Sequence, residues 1–134
     1  MLNKDKALTM IAAAERKAEE VGVPMVIAVV DQGGNLIAQV RQDDALLVSV
    51  NLSLNKAYTA AAVKLSTETL GSVSQPGQPL YGIHADESGR IVIFGGGLPV
   101  KENGKVVGGI GVSGGSVEQD IACAEAGLAA FQPE

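Results

Sequence analysis

Apolar residues recur through the first twenty positions at alternating spacings of four and three: Ala7, Ile11, Ala14, Ala18 and Val21, with Glu15, Arg16, Lys17, Glu19 and Glu20 between them. That period is helical, so the segment predicts an amphipathic helix whose mostly alanine stripe permits close packing. Asn3 is placed to accept a bond from the first-turn amides, and Gly22 followed by Pro24 ends the helix. From Met25 to Val30 the pattern becomes an unbroken apolar run rich in β-branched residues, closed by Asp31-Gln32-Gly33-Gly34. Such a run predicts a strand buried on both faces, in a sheet covered by helices. Leu36, Ala38 and Val40 alternate with Ile37, Gln39 and Arg41, which completes a hairpin with a wetter second strand.

Helical spacing returns after Asp43 and Asp44, where Leu47, Val50, Leu54, Ala57, Ala61 and Lys64 trace one face of a second helix. Positions 66–73 predict a short third helix, and Ser74-Gln75-Pro76-Gly77-Gln78-Pro79 an irregular loop. Positions 91–94 read as a strand, Gly95-Gly96-Gly97 as a break, and positions 98–102 and 105–113 as two strands joined at Asn103-Gly104. Ser116 with Gln119 three residues on forms a capping box, opening a last helix that buries Ile121, Ala124, Leu128 and Phe131. The element order is therefore α-β-β-α-α-β-β-β-α, and adjacent hairpins imply an antiparallel sheet rather than a doubly wound parallel one.

At 134 residues the chain fits a single domain spanning 1–134. Only two Phe, two Tyr and no Trp are present, so the core is aliphatic and platforms for stacking nucleic-acid bases are lacking. A net charge of −5 opposes association with nucleic acid or anionic membranes. No 18-residue apolar run and no leader pattern occur, from which a cytoplasmic protein without a membrane segment is expected. Cys123 stands alone, His84 is the single histidine, and no i, i+3 or i, i+4 cluster of metal ligands emerges. The absence of Cys-x-x-Cys-His excludes a covalent c-type haem site.

Residues Gly109 to Gly114 fit the dinucleotide pattern G-x-G-x-x-G, but the following parallel strand with its acidic ribose ligand is missing. Gly111-Val112-Ser113-Gly114-Gly115 fits a nucleophile elbow, yet His84 precedes Ser113, opposite to the order that fold requires. The glycines from 108 to 111 remove side-chain bulk, so a helix, a partner subunit or a flat ligand can approach closely. The amides of Gly114, Gly115 and Ser116 are placed to bind an anion at a helix start, against the alternative of ordinary capping. Lys56 and Thr59 share a helical face and could meet a carboxylate, the commoner arrangement being a solvated lysine. His84 could ligate a metal or haem iron, or simply lie on the surface.

Taken in order, Val29-Val30-Asp31 with Gly34, Arg41 and Ala45, Lys56-Ala57-Tyr58-Thr59-Ala60, Gly96-Gly97-Leu98-Pro99, and Gly108 to Gly115 with Gln119-Asp120 resemble the GlcG, HbpS and PduO C-terminal family over nearly the whole chain. The resemblance implies an α+β fold, a profilin-like three-layer α/β/α arrangement with a five-stranded antiparallel sheet. It also implies homo-oligomers. Members occur as haem-binding or haem-degrading accessory proteins, and relatives accompany glycolate, propanediol or glycerol metabolism. By position, the family pattern covers Arg41, Lys56, Thr59, Gly96, Gly97, Pro99, Gly111 and Ser113 as residues lining a shared pocket, with His84 the imidazole available to a haem iron. In place of the more usual Met-Asp-Gly after the arginine stands Gln42-Asp43-Asp44.

A non-catalytic, cytoplasmic, oligomeric ligand-binding accessory protein with haem as its ligand is the leading expectation, with a metabolic enzyme as a possible partner. One alternative is an enzyme or sensor for a small carboxylate or phosphate, using Lys56, Thr59 and the amides from 114 to 116. Another is a structural subunit assisting a cobalamin-dependent dehydratase system.

Overall fold

The computed structural model describes residues 1–133. Helix α1, Lys4–Val21, begins where the Asn3 side chain accepts from Lys6 N–H and ends at Gly22 in the left-handed conformation. Strands β1, Val26–Asp31, and β2, Leu36–Arg41, form the first hairpin, with Ile27 opposite Val40 and Val29 opposite Ala38. Helix α2, Val48–Val63, and the short α3, Thr67–Ser72, come next, then a 3-10 segment over Ile83–Gly89. Strands β3, Gly97–Glu102, and β4, Lys105–Ser113, make the second hairpin, and α4, Val117–Ala129, carries the capping box of Ser116 and Gln119.

The sheet is antiparallel with four strands in the order β2-β1-β4-β3, which corrects the expected five-stranded, profilin-like arrangement. The missing strand is the one expected at positions 91–94. Its apolar residues are strand-like, but its backbone is claimed by helices instead of by a neighbouring strand. Val92 N–H donates to Thr59 Oγ1 on α2 at 3.1 Å. Ile93 O lies so close to Gly71 of α3 that any Cβ there would overlap it. Buried amides need a partner, and here a threonine hydroxyl supplies what a strand ladder would.

The second helix also starts later than its periodicity suggests. Asp44 takes a positive φ of 69°, Ala45 N–H donates to Gln42 O at 3.1 Å, and the Arg41 guanidinium holds Ala45 O at 2.8 and 3.2 Å. These bonds turn the chain between β2 and α2, so α2 begins at Val48.

Alternate residues of β1 divide the core. Ile27 and Val29 join Val100, Ile110 and Val112 against Met10, Ile11 and Ala14 of α1 and Cys123 and Ala124 of α4. Ala28 and Val30 face the other way, onto Ala57 and Ala61 of α2. On that second face three glycines replace side chains. A Cβ on Gly109 or Gly111 of β4 would overlap Ala57 O or Ser53 O, and one on Gly97 of β3 would overlap Lys56 O. The α2 backbone therefore rests directly on the sheet, and this close docking sets the geometry of the site below.

Candidate functional site

Because α2 sits so near the strands, the Lys56 side chain has no route to solvent along the helix surface and enters the interior completely. Its Nζ donates to Val112 O at the end of β4 and to Asp120 Oδ2 on α4, each at 2.9 Å. The second Asp120 oxygen accepts from Gly115 N–H, also at 2.9 Å. The Phe94 ring lies with its centroid 5.1 Å from the same ammonium, within cation–π range. Burial pushes the Lys56 amine below the usual lysine range, with the Asp120 charge and hydrogen bond acting in the opposite direction. A buried cation paired and hydrogen-bonded in this way ties α2, β4 and α4 together at one point.

Four other residues expected at the site gather around this lysine. A Cβ on Gly96, whose φ of 126° already favours glycine, would stand 2.6 Å from Lys56 Nζ, and one on Gly111 would stand 3.0 Å from Lys56 Cβ. Gly97 N–H donates to Thr67 Oγ1 at 2.9 Å, which joins the glycine turn to α3. Ser113 Oγ shares a hydrogen bond with Ser49 Oγ at 3.0 Å, so the first turn of α2 is fixed to the end of β4. Lys56, Gly96, Gly97, Gly111 and Ser113 thus form one closed cluster. Thr59 lies one helical turn away and serves the 90–92 segment, accepting from Val92 N–H and donating to Arg90 O at 3.5 Å.

Arg41, Pro99 and His84 stand elsewhere. Arg41 lines a surface cavity of about 460 Å³ with Glu15, Glu19, Gln42 and Asp43, although its guanidinium is engaged by Ala45 O. Pro99, on the edge strand β3, lines a cleft of about 570 Å³ with Leu98, Leu128 and Phe131. His84 is exposed in the 3-10 segment, edge-on to the Tyr81 ring with centroids 6.1 Å apart. Two of the three amides expected to bind an external anion are already served: Gly115 N–H by Asp120, and Ser116 N–H by Gln119 Oε1 at 2.9 Å. Asp120 is therefore the protein's own anion at that helix start.

Asp120 and Phe94 are the members of this cluster that sequence reasoning did not single out as site residues. A buried lysine demands a carboxylate, but Asp120 is 64 positions away and nothing in the local pattern marks it as the partner. Cys123 shows the opposite situation. It is buried beneath α1, and burial raises its thiol from 9.0 to about 11, so it is no thiolate ligand near neutral pH. Among the described residues no group of three or more His, Cys, Asp or Glu side chains is arranged to hold a metal ion, and no helix is long and apolar enough to cross a membrane.

Comparison with known proteins places this geometry in a family. An uncharacterized 15.0 kDa protein from the dhaT-dhaS intergenic region of Citrobacter freundii is 52% identical over 125 residues, covering 93% of this chain and 88% of that protein. The corrinoid adenosyltransferase PduO of the same organism is 48% identical over 119 residues, 89% of this chain, which spans only 36% of that longer protein. A crystal structure of a PduOC:heme complex superposes with a TM-score of 0.94 at 41% identity, covering 98% of this chain and 95% of that one. The family model described as haem degrading protein HbpS-like matches residues 2–129, and the chain belongs to the HbpS-like family.

Proposed function

We propose that this protein is a haem-binding, homo-oligomeric accessory protein of small-molecule metabolism, acting in the cytoplasm, with His84 as the iron ligand. The observation that carries the reading is the likeness, over almost the entire length of both chains, to a relative whose structure is a heme complex. The residues present fit such a group at one place. His84 is exposed, its ring makes no hydrogen bond to the described residues, and Leu80 and Tyr81 beside it are exposed apolar side chains, 42% and 61% accessible. An imidazole with both nitrogens available beside apolar surface suits axial ligation of a flat hydrophobic molecule. Met10, Met25 and Cys123 are fully buried and do not compete for that role.

Haem bound there supplies a redox-active iron; the chain supplies the imidazole and the apolar shelf. Lys56 and Asp120 satisfy each other inside the fold and hold the scaffold, which supports a binding role rather than a catalytic one. The match to part of a corrinoid adenosyltransferase supports an enzyme partner in corrinoid-dependent metabolism.

Titration of hemin into the purified protein and into His84→Ala, followed by absorbance and size exclusion, tests this reading. A saturable, stoichiometric Soret change in the wild type that is lost in the variant is expected. An undiminished change in His84→Ala removes the histidine from its role, and no saturable change in either overturns haem binding. Progressive bleaching of the bound Soret band under a mild reductant would make the protein a catalyst of haem breakdown.

A further inference from the structure

The cleft beside Pro99 has a chemistry that the haem reading leaves unused. Its wall is apolar, formed by Leu65 after α2, Leu98 and Pro99 on β3, Leu128 on α4 and Phe131 beyond it, and its volume is about 570 Å³. That lies within the range of small-molecule sites, which are concave and mainly hydrophobic with a few placed polar groups. Lys64 and Lys101 stand at its rim. The same two lysines also line an adjoining polar cavity of about 360 Å³, where Lys105 joins them.

Three of the chain's ten basic residues therefore converge here, in a protein of net charge −5. Among the described residues no carboxylate lines either cavity. Glu102, between Lys101 and Lys105 in sequence, lines a different cavity and pairs with the Met1 amine. Lys64, Lys101 and Lys105 are exposed, and their side-chain ammonium groups make no hydrogen bond or ion pair with the described residues.

The backbone adds an independent observation. Lys64 is the C-cap of α2 and takes φ 61°, ψ 32°, the left-handed conformation in which glycine is the ordinary residue. A side chain there costs about 1 kcal/mol. A glycine would make the same capping bond, since it is the Lys64 backbone N–H that donates to Ala60 O. Lys101 has a structural purpose on the edge strand β3, where a charge discourages strand pairing, whereas Lys64 is not on a strand. Strain retained for an unpaired cation at the mouth of an apolar cleft points to a ligand.

We propose that this cleft binds an amphiphilic anion, its apolar body against Leu98, Pro99, Leu128 and Phe131 and its carboxylate or phosphate head among Lys64, Lys101 and Lys105. The site uses neither His84 nor iron, so it stands or falls apart from haem binding. Isothermal titration with decanoate and decyl phosphate, against decanol and acetate as controls, tests it on the full chain. Saturable binding of at least one of the two amphiphiles is expected, the tighter one identifying the head group, with decanol and acetate each at least tenfold weaker.

Lys64→Gly and Lys101→Gln should each weaken that binding several-fold, and together at least tenfold. Because Lys64→Gly also relieves the left-handed backbone, its melting temperature should equal or exceed that of the wild type, which separates lost binding from lost folding. Absence of saturable binding by both amphiphiles, equal affinity for decanol, or unchanged affinity in the double variant overturns the proposal.

Discussion

Asp120 divides its two oxygens between a helix-start amide and a buried ammonium, and most of the cluster's energetics follows from that division. Removing it leaves Lys56 charged and without its anion inside the protein, so Asp120→Ala should cost about 3–5 kcal/mol in chemical denaturation. Replacing both charges is a different matter. In Lys56→Met with Asp120→Asn the asparagine oxygen can still accept from Gly115 N–H, and the apolar chain fills the lysine's volume. The double variant should recover most of the loss, whereas strictly additive costs of the two single changes would show that the pair does not act as a unit. One half of this pair was legible in the sequence. Lys56 and Thr59 are recognisable as neighbours on a helical face, but burial of that face follows from the glycines of two distant strands, which local spacing does not report.

Among the elements, the seat of α2 on β4 depends most on what is missing. The glycine run was readable as a surface for close approach, with a helix, a partner or a flat ligand as the approaching body. The structure assigns the helix. Gly111→Ala gives this a test by sign, because alanine in an ordinary strand position is the better residue by roughly 0.5–1 kcal/mol. Here the added methyl overlaps Ser53 O and must move a helix, so a loss of about 3 kcal/mol is expected in urea denaturation. A neutral or stabilising result would mean that α2 is not seated as described. The strand expected at 91–94 failed for a related reason. Ile91-Val92-Ile93-Phe94 has strand composition, yet Thr59 and Gly71 fix its path from positions that are far away in sequence.

For the whole molecule, two covered sheet faces and antiparallel hairpins were legible because period and turn chemistry are local signals. Surface apolar residues are not distinguishable from core residues in that way. Leu47 illustrates this: it reads as part of a helical face, but the turn held by Arg41 leaves it 73% exposed, with Leu46 and Val48 beside it at 60% and 65%. Three consecutive large apolar side chains on the surface are what a homo-oligomer would cover with a second copy of the chain. Sedimentation velocity on the wild type should then give a multiple of the 13.6 kDa chain mass, and Leu47→Asp should shift the population toward the single chain without lowering the melting temperature. The side chain is too exposed to support the core, so a fall in mass at constant stability assigns Leu47 to the contact between copies. A wild type that sediments as a single chain at micromolar concentration would remove the homo-oligomer from the proposed function and leave haem binding to be met by one subunit alone.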